Sequence, residues 1–194
     1  MKGTDLSDYD IWTSFKNGEE WAISFVYSRN AEKLYRYGLK FTDNYVLIED
    51  ALQDLFTDLI KNRKSIGRTD NILLYLMKSF KHKVLRKLKY EKKFIYELGD
   101  EFYPFDLPVS VEQQFIFKEI SKQRSIMISR GINNLTSRQK EAIYLRFTQE
   151  LDYKDIAEVM EISVEACRNL IYKSIIQLRK WFQENKQKSF STSL

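Results

Sequence analysis

The chain has 194 residues, room for one medium domain or two small ones, and 43% hydrophobic with 30% charged residues suits a folded, soluble protein with a solvated surface. Only 6 Gly and 2 Pro exclude a collagen-like or linker-dominated chain, the single Cys167 excludes an internal disulfide, and no charge-free apolar run is long enough to span a bilayer. The 32 Lys and Arg against 27 Asp and Glu leave a formal charge of +5, and where the charges fall says more than the total.

Apolar residues recur at helical spacing through the first ninety or so positions. A first helix includes Ile11, Trp12 and Phe15 and ends near Gly18; a second spans Glu20 to Phe41 and packs through Trp21, Phe25, Leu34 and Tyr35. Asp43 and Asn44 offer a break. From Tyr45 to Lys61, Ile48, Leu52, Leu55 and Leu59 form one stripe, which leaves Glu49, Asp50, Gln53, Asp54 and Asp58 exposed or flanking and gives the helix an acidic side. Phe56 flanks the stripe and suits either internal packing or the rim of an interface.

Asn62 to Asn71 contains Gly67 and little periodicity, so it reads as a loop. The next helix, from about Ile72 to Lys93, packs through Leu73, Leu76, Met77, Phe80, Val84 and Leu88. Lys78, Lys81, Lys83, Arg86, Lys87, Lys89, Lys92 and Lys93 make it densely cationic, a pattern that suits phosphate contact as well as plain solvation. The acidic and basic helices thus offer separate surfaces for a protein partner and a polyanion.

Gly99, Pro104 and Pro108 interrupt any helix between Phe94 and Val111, which marks a joint. Its aromatics, Tyr96, Phe102, Tyr103 and Phe105, leave both docking and local packing open. A second helical block begins near Glu112 and carries Phe115, Ile116, Ile120, Ile126, Met127 and Ile132. Thr136 with Gln139 has the form of a reciprocal helix cap, Asp152 caps a helix from Tyr153 to Met160, and after a break at Glu161 and Ile162, Ser163 caps another. That last helix turns Val164, Cys167, Ile171, Ile175 and Leu178 inward and Glu165, Arg168, Asn169, Tyr172 and Lys173 outward. Two short helices joined by a tight turn, the second with a basic and polar face, form a helix-turn-helix, so Arg168, Asn169 and Lys173 are candidates for base edges or their vicinity. Arg179 and Lys180 suit phosphate or solvent. The tail from Asn185 is polar.

The expected fold is therefore all-α: two small helical domains, residues 1–93 and 112–185, joined by a flexible linker at 94–111 and followed by a polar tail at 186–194. Catalysis has little to stand on. One His, one Cys, scattered carboxylates and the lack of a Gly-rich phosphate loop supply neither a triad nor a spaced metal cluster, and no cofactor is expected. Cys167 sits in an inward stripe and reads as a core residue. With no apolar N-terminal run behind a basic leader, a cytoplasmic location is expected.

The motifs also resemble a known family. Gly18-Glu19-Glu20-Trp21-Ala22 followed by Tyr27, and above all Glu49-Asp50-Ala51-Leu52-Gln53-Asp54-Leu55-Phe56, are similar to the sigma-2 domain of the extracytoplasmic-function (ECF) group of bacterial RNA polymerase sigma factors, whose Glu-Asp-x-x-Gln-x-x-Phe helix binds the polymerase clamp. Tyr75-Leu76 and Phe80-Lys81-His82 resemble the family's landmarks near promoter opening, with Tyr75, His82 and Arg86 standing where relatives commonly have Trp, Asn and Asp. Leu135-Thr136, Tyr153, Ile156 and Ala157, then Ala166-Cys167-Arg168-Asn169, Lys173 and Leu178-Arg179, are similar to sigma-4. The resemblance implies core RNA polymerase binding through Asp50, Gln53, Asp54 and Phe56. It implies minus-10 promoter contact through Tyr75, Lys78, Lys81, His82 and Arg86, with the Asn62 to Asn71 loop accepting a flipped nucleotide. Minus-35 contact would fall to Arg168, Asn169, Tyr172 and Lys173. A membrane-bound anti-sigma factor is a further partner it implies, with the chain a monomer when free. The rival reading is a helix-turn-helix regulator that never becomes a polymerase subunit; the acidic helix and the basic first block would then lack a role.

Overall fold

A computed structural model describes residues 6–93, 104–107 and 127–191, and every regular element among them is a helix. The chain divides into two compact units, Met1–Phe102 and Tyr103–Leu194.

Among the described residues the first unit holds four helices, and polar side chains start three of them. Ser7 caps α1 (Asp8–Asn17) by accepting the Asp10 amide, Asn44 caps α3 (Tyr45–Lys61) through the Leu47 amide, and Asn71 opens α4 (Ile72–Lys93) through the Leu74 amide at 3.0 Å. The Asp8 carboxylate also accepts the Ile72 amide at 2.9 Å, tying the starts of α1 and α4 together. Gly18 ends α1 with φ +85°, which a side chain rarely adopts, and this turns the chain into α2 (Glu20–Gly38).

Helix α2 packs against all three others, and α1 and α3 each pack on α4. Ile11, Trp12 and Phe15 meet Ala22, Val26, Leu34 and Tyr37, with Ile48, Ala51, Leu55, Leu76, Met77, Phe80 and Val84 closing the core. Each fully buried large apolar side chain contributes about 1.5–3 kcal/mol, so α1 belongs to the unit rather than decorating it. The buried Asn30 is satisfied within its own helix, donating to the Val26 carbonyl at 2.8 Å.

The second helix differs from its expected form. It ends at Gly38, because Lys40 and Phe41 turn back onto the Tyr37 and Gly38 carbonyls, and its inner face is Ala22, Val26, Leu34 and Tyr37 while Trp21, Phe25 and Tyr35 are only half-buried.

In the second unit, a helical stretch at 127–133 leads to Thr136. Its hydroxyl accepts the Gln139 amide while the Gln139 side chain accepts the Thr136 amide, and this reciprocal cap starts α5 (Ser137–Phe147). Asp152 caps α6 (Tyr153–Met160), and α7 (Val164–Ser191) packs on both. Leu135, Ala142, Leu145, Leu151, Ile156, Val159, Met160, Cys167 and Ile171 form the core. Helix α7 runs on to Ser191, past the Asn185 where polar composition suggested a tail. Within the expected linker, Phe105 is buried with its ring 5.8 Å from Tyr144, and Asp106 pairs with Lys140 at 2.7 Å, so residues 104–107 pack locally on the second unit. The other linker aromatics and the expected segment from Glu112 to Ile126 lie outside the described residues.

Gly38 sits where three helices converge: a Cβ there would come within 2.9 Å of both Ile48 Cγ2 and Phe80 Cε1. Gly38→Ala is therefore expected to destabilise the first unit by about 1–3 kcal/mol through overpacking, against the sign of an ordinary helical Gly→Ala change. Urea unfolding checks it, and a variant as stable as the parent shows that the crossing opens without cost.

Candidate nucleic-acid interface

The expected separation of acidic and basic surfaces does not hold along the middle of the first unit. Helices α3 and α4 run antiparallel, so Asp54 meets Lys87 at 2.8 Å and Asp58 meets Lys83 at 2.5 Å. Hydrogen bonding and charge from Lys83 hold the Asp58 carboxyl below the usual carboxylate range. Glu49, Asp50 and Gln53 remain exposed. Asp50 borders an open recess of about 460 Å³ together with Val46, Leu47, Arg86, Lys87 and Tyr90, and Val46 and Tyr90 are well exposed beside it. Phe56 is 6% exposed and meets Tyr27 edge-on at 4.8 Å. Its ring therefore packs within the unit and supports α3 from beneath.

The five residues expected to face the minus-10 element are sorted by burial. His82 and Arg86 are exposed and Lys78 is half-buried, whereas Lys81 is 4% exposed and lies on the inner side of α4. Tyr75 is half-buried, its ring 5.0 Å from Trp12, and burial raises its phenol. Trp12 also donates from Nε1 to the Gly67 carbonyl at 2.8 Å, and Lys16 donates to the Ile66 carbonyl at 2.6 Å. Helix α1 thereby holds the loop between α3 and α4, a role the helical spacing of Trp12 did not reveal.

In the second unit, α6 ends in a tight turn at Glu161, which takes φ 54° and ψ 49° without being glycine. Ser163 accepts the Ala166 amide at 3.0 Å and starts α7. Arg168, Asn169, Tyr172 and Lys173 are all exposed on the first turns of α7, with Cys167, Ile171 and Ser174 buried opposite them. Val164, expected inside, is on the surface because it stands in the first turn, ahead of the contact with α6. Ile175 and Leu178 are half-buried. Burial raises the Cys167 thiol more than the nearby Arg146 and Arg168 lower it, as suits a core residue. Both arginines lie over the Tyr153 ring, Arg146 at 5.1 Å and Arg168 at 5.8 Å from its centroid. Arg146 was not among the expected contacts. Its distance in sequence from the turn hides it.

A single arrangement results: a polar and cationic helix face, exposed, beyond a fixed turn and supported by a second helix. That is the geometry by which a helix enters the major groove. Residues 125–178 match the family model described as Sigma-70, region 4, and this span holds the whole turn. The terminal unit is similar to sigma-70 region 4. No curated protein matches the sequence. Among solved structures, a chain of CnrH in complex with the cytosolic domain of CnrY aligns over 91% of this chain and 97% of its own length, with TM-score 0.59 at 14% identity. A chain of the co-crystal of the sigma factor RpoE with the anti-sigma factor NepR, from Bartonella quintana, aligns over 78% of this chain and 91% of its own, with TM-score 0.56 at 14% identity. The chain thus shares the all-helical fold of these two structures, and its C-terminal part is similar to sigma-70 region 4. Among the described residues, no helix is long and apolar enough to cross a membrane.

Two outcomes follow from this geometry. Glu161→Gly removes the left-handed penalty at the turn before α7 and should raise the stability of the second unit by about 1 kcal/mol, read by thermal unfolding; a loss of stability would mean that the Glu161 side chain holds the turn. Asp58→Asn should cost less than about 1 kcal/mol at neutral pH, as for an exposed ion pair. Because the folded carboxyl titrates lower than the unfolded one, the pair's contribution is present above the unfolded carboxylate range and is lost as pH falls through the folded value. Unfolding curves of parent and variant should converge in acid, and a gap independent of pH would remove the Lys83 pairing as its cause.

Proposed function

We propose that this chain is an ECF-type sigma factor that binds core RNA polymerase and directs initiation at promoters with minus-35 and minus-10 elements. The observation that carries this reading is that the region 4 match coincides with a helix-turn-helix whose polar face is exposed, in a chain whose whole fold resembles sigma factors. In this reading Arg168, Asn169, Tyr172 and Lys173 meet the minus-35 duplex, where phosphate contacts set position and base-edge contacts set preference. His82 and Arg86, with Lys78 and Tyr75 beside them, meet the minus-10 region, and the loop held by Trp12 and Lys16 receives a nucleotide turned out of the stack. Asp50 and Gln53 form the accessible part of the polymerase-binding face. Asp54 joins them by exchanging its bond to Lys87, and Phe56 supports them from within. No step requires a catalytic side chain. The two structural neighbours were solved with the cytosolic domain of CnrY and with the anti-sigma factor NepR, which supports a comparable inhibitory partner here, membrane-bound in the family pattern.

Transcription reconstituted from core polymerase and a promoter library tests this directly. Added protein should produce promoter-dependent transcripts, and binding to DNA without core association would instead establish a regulator outside the polymerase. Asp50→Asn with Gln53→Ala should weaken core binding about thirtyfold, on the scale of one interfacial hot spot. Arg168→Ala and Asn169→Ala should change which start sites are used and leave core affinity alone. Equal effects of both pairs on both measurements would defeat the division of roles.

A further inference from the structure

The contact between Tyr153 and two arginines is more than helix packing requires. Tyr153 is the first residue of α6, half-buried, one turn of chain before the apolar Ile156 and Ala157 that anchor that helix. Arg146, near the end of α5, is fixed independently: it donates to the Leu151 carbonyl at 2.8 Å, across the corner between α5 and α6, and its guanidinium lies 5.1 Å from the Tyr153 centroid. Arg168 reaches the same ring from α7 at 5.8 Å while remaining exposed. Both distances fall within the range in which an aromatic face attracts a cation. The two guanidinium groups thus converge on one ring, from α5 and from α7.

We infer that Tyr153 is a positioning residue: its ring holds the Arg168 guanidinium at the start of the recognition helix, with Arg146 bracing the ring from α5. An exposed arginine samples many rotamers, and each must be given up when it binds a base or phosphate. A ring beneath it narrows that set before DNA arrives. The second guanidinium adds a positive charge beside Arg168 and so favours the approach of an acceptor, whether a guanine edge or a phosphate oxygen. Tyr153 therefore acts on sequence discrimination through Arg168 and touches no base itself. This inference rests on the proposal that α7 reads the minus-35 duplex.

The test uses the full chain and a duplex library with a randomised centre, from which the preferred duplex is selected with the parent protein. Discrimination is the affinity for that duplex over a scrambled one, measured for Tyr153→Phe, Tyr153→Leu, Arg168→Ala and the double variant Tyr153→Leu with Arg168→Ala. Tyr153→Phe keeps the ring and should match the parent. Tyr153→Leu should lower discrimination roughly two- to fivefold, the size of a cation–π contact at an exposed site. In the Arg168→Ala background the same change should have no further effect. Should the leucine variant fail to fold, Tyr153→Met supplies an apolar side chain without a ring in the same comparison. An equal loss in the Arg168→Ala background, or none in the parent background, overturns the positioning role while leaving minus-35 reading intact. A parent protein that prefers no duplex overturns the reading and the inference together.

Discussion

The antiparallel packing of α3 on α4 decides which charges the first unit can offer to anything else. Two helices carrying opposite charge, held side by side by Ile48, Ala51, Leu55, Met77, Phe80 and Val84, necessarily bring their acidic and basic flanks together. Asp54 and Asp58 are taken up by Lys87 and Lys83. What stays accessible is displaced along the pair, with Glu49, Asp50 and Gln53 toward the start of α3 and His82 and Arg86 on the outer side of α4. The acidic and the basic surfaces left accessible are thus products of one packing arrangement, and Gly38 permits that arrangement by leaving room for Ile48 and Phe80.

The second unit depends on a different constraint. Its short helices α5 and α6 have too little length to be stable alone, so their order comes from burying Leu145, Ile156, Val159 and Met160 under α7 and from fixing the corners between them. Those corners use the left-handed backbone at Glu150 and Glu161, the Asp152 and Ser163 caps, and the bond from Arg146 to the Leu151 carbonyl. With both corners fixed, the exposed face of α7 has a defined direction. Each polar side chain on it then needs to settle only its own rotamer before contact, and this is the quantity that a ring at Tyr153 controls.

Much of this was legible in residue spacing, and the exceptions have physical causes. Helix α3 was readable end to end because Asn44 caps it and its stripe is continuous; the helix-turn-helix was readable because Thr136, Asp152 and Ser163 are all capping residues followed by apolar periodicity. Helix α2 was read too long because Leu39 and Phe41 continue its apolar pattern while the backbone has already tightened into a turn. A single-helix pattern cannot show what a neighbouring helix does. It therefore leaves open which of Phe56's two readings holds until Tyr27 closes on it, and does not show Lys81 lying on the inner side of a basic run or the pairing of Asp54 and Asp58. Arg146 and Tyr153 escaped for the same reason, since their relation to Arg168 exists only after three helices meet.

The strengths of these contacts fit a chain whose surfaces serve other molecules. The apolar core of each unit supplies stability, while the exposed ion pairs between α3 and α4 contribute less than about 1 kcal/mol each and exchange readily. A basic partner approaching Asp54 competes with a single lysine whose release costs little, and Lys87, once released, strengthens the cationic side of α4. Under the proposed function, the same weak pairs that conceal part of each surface in the free protein allow both surfaces to be completed on assembly without disturbing the core beneath them. Strong buried pairs at these positions would have fixed the helices equally well and left nothing to exchange.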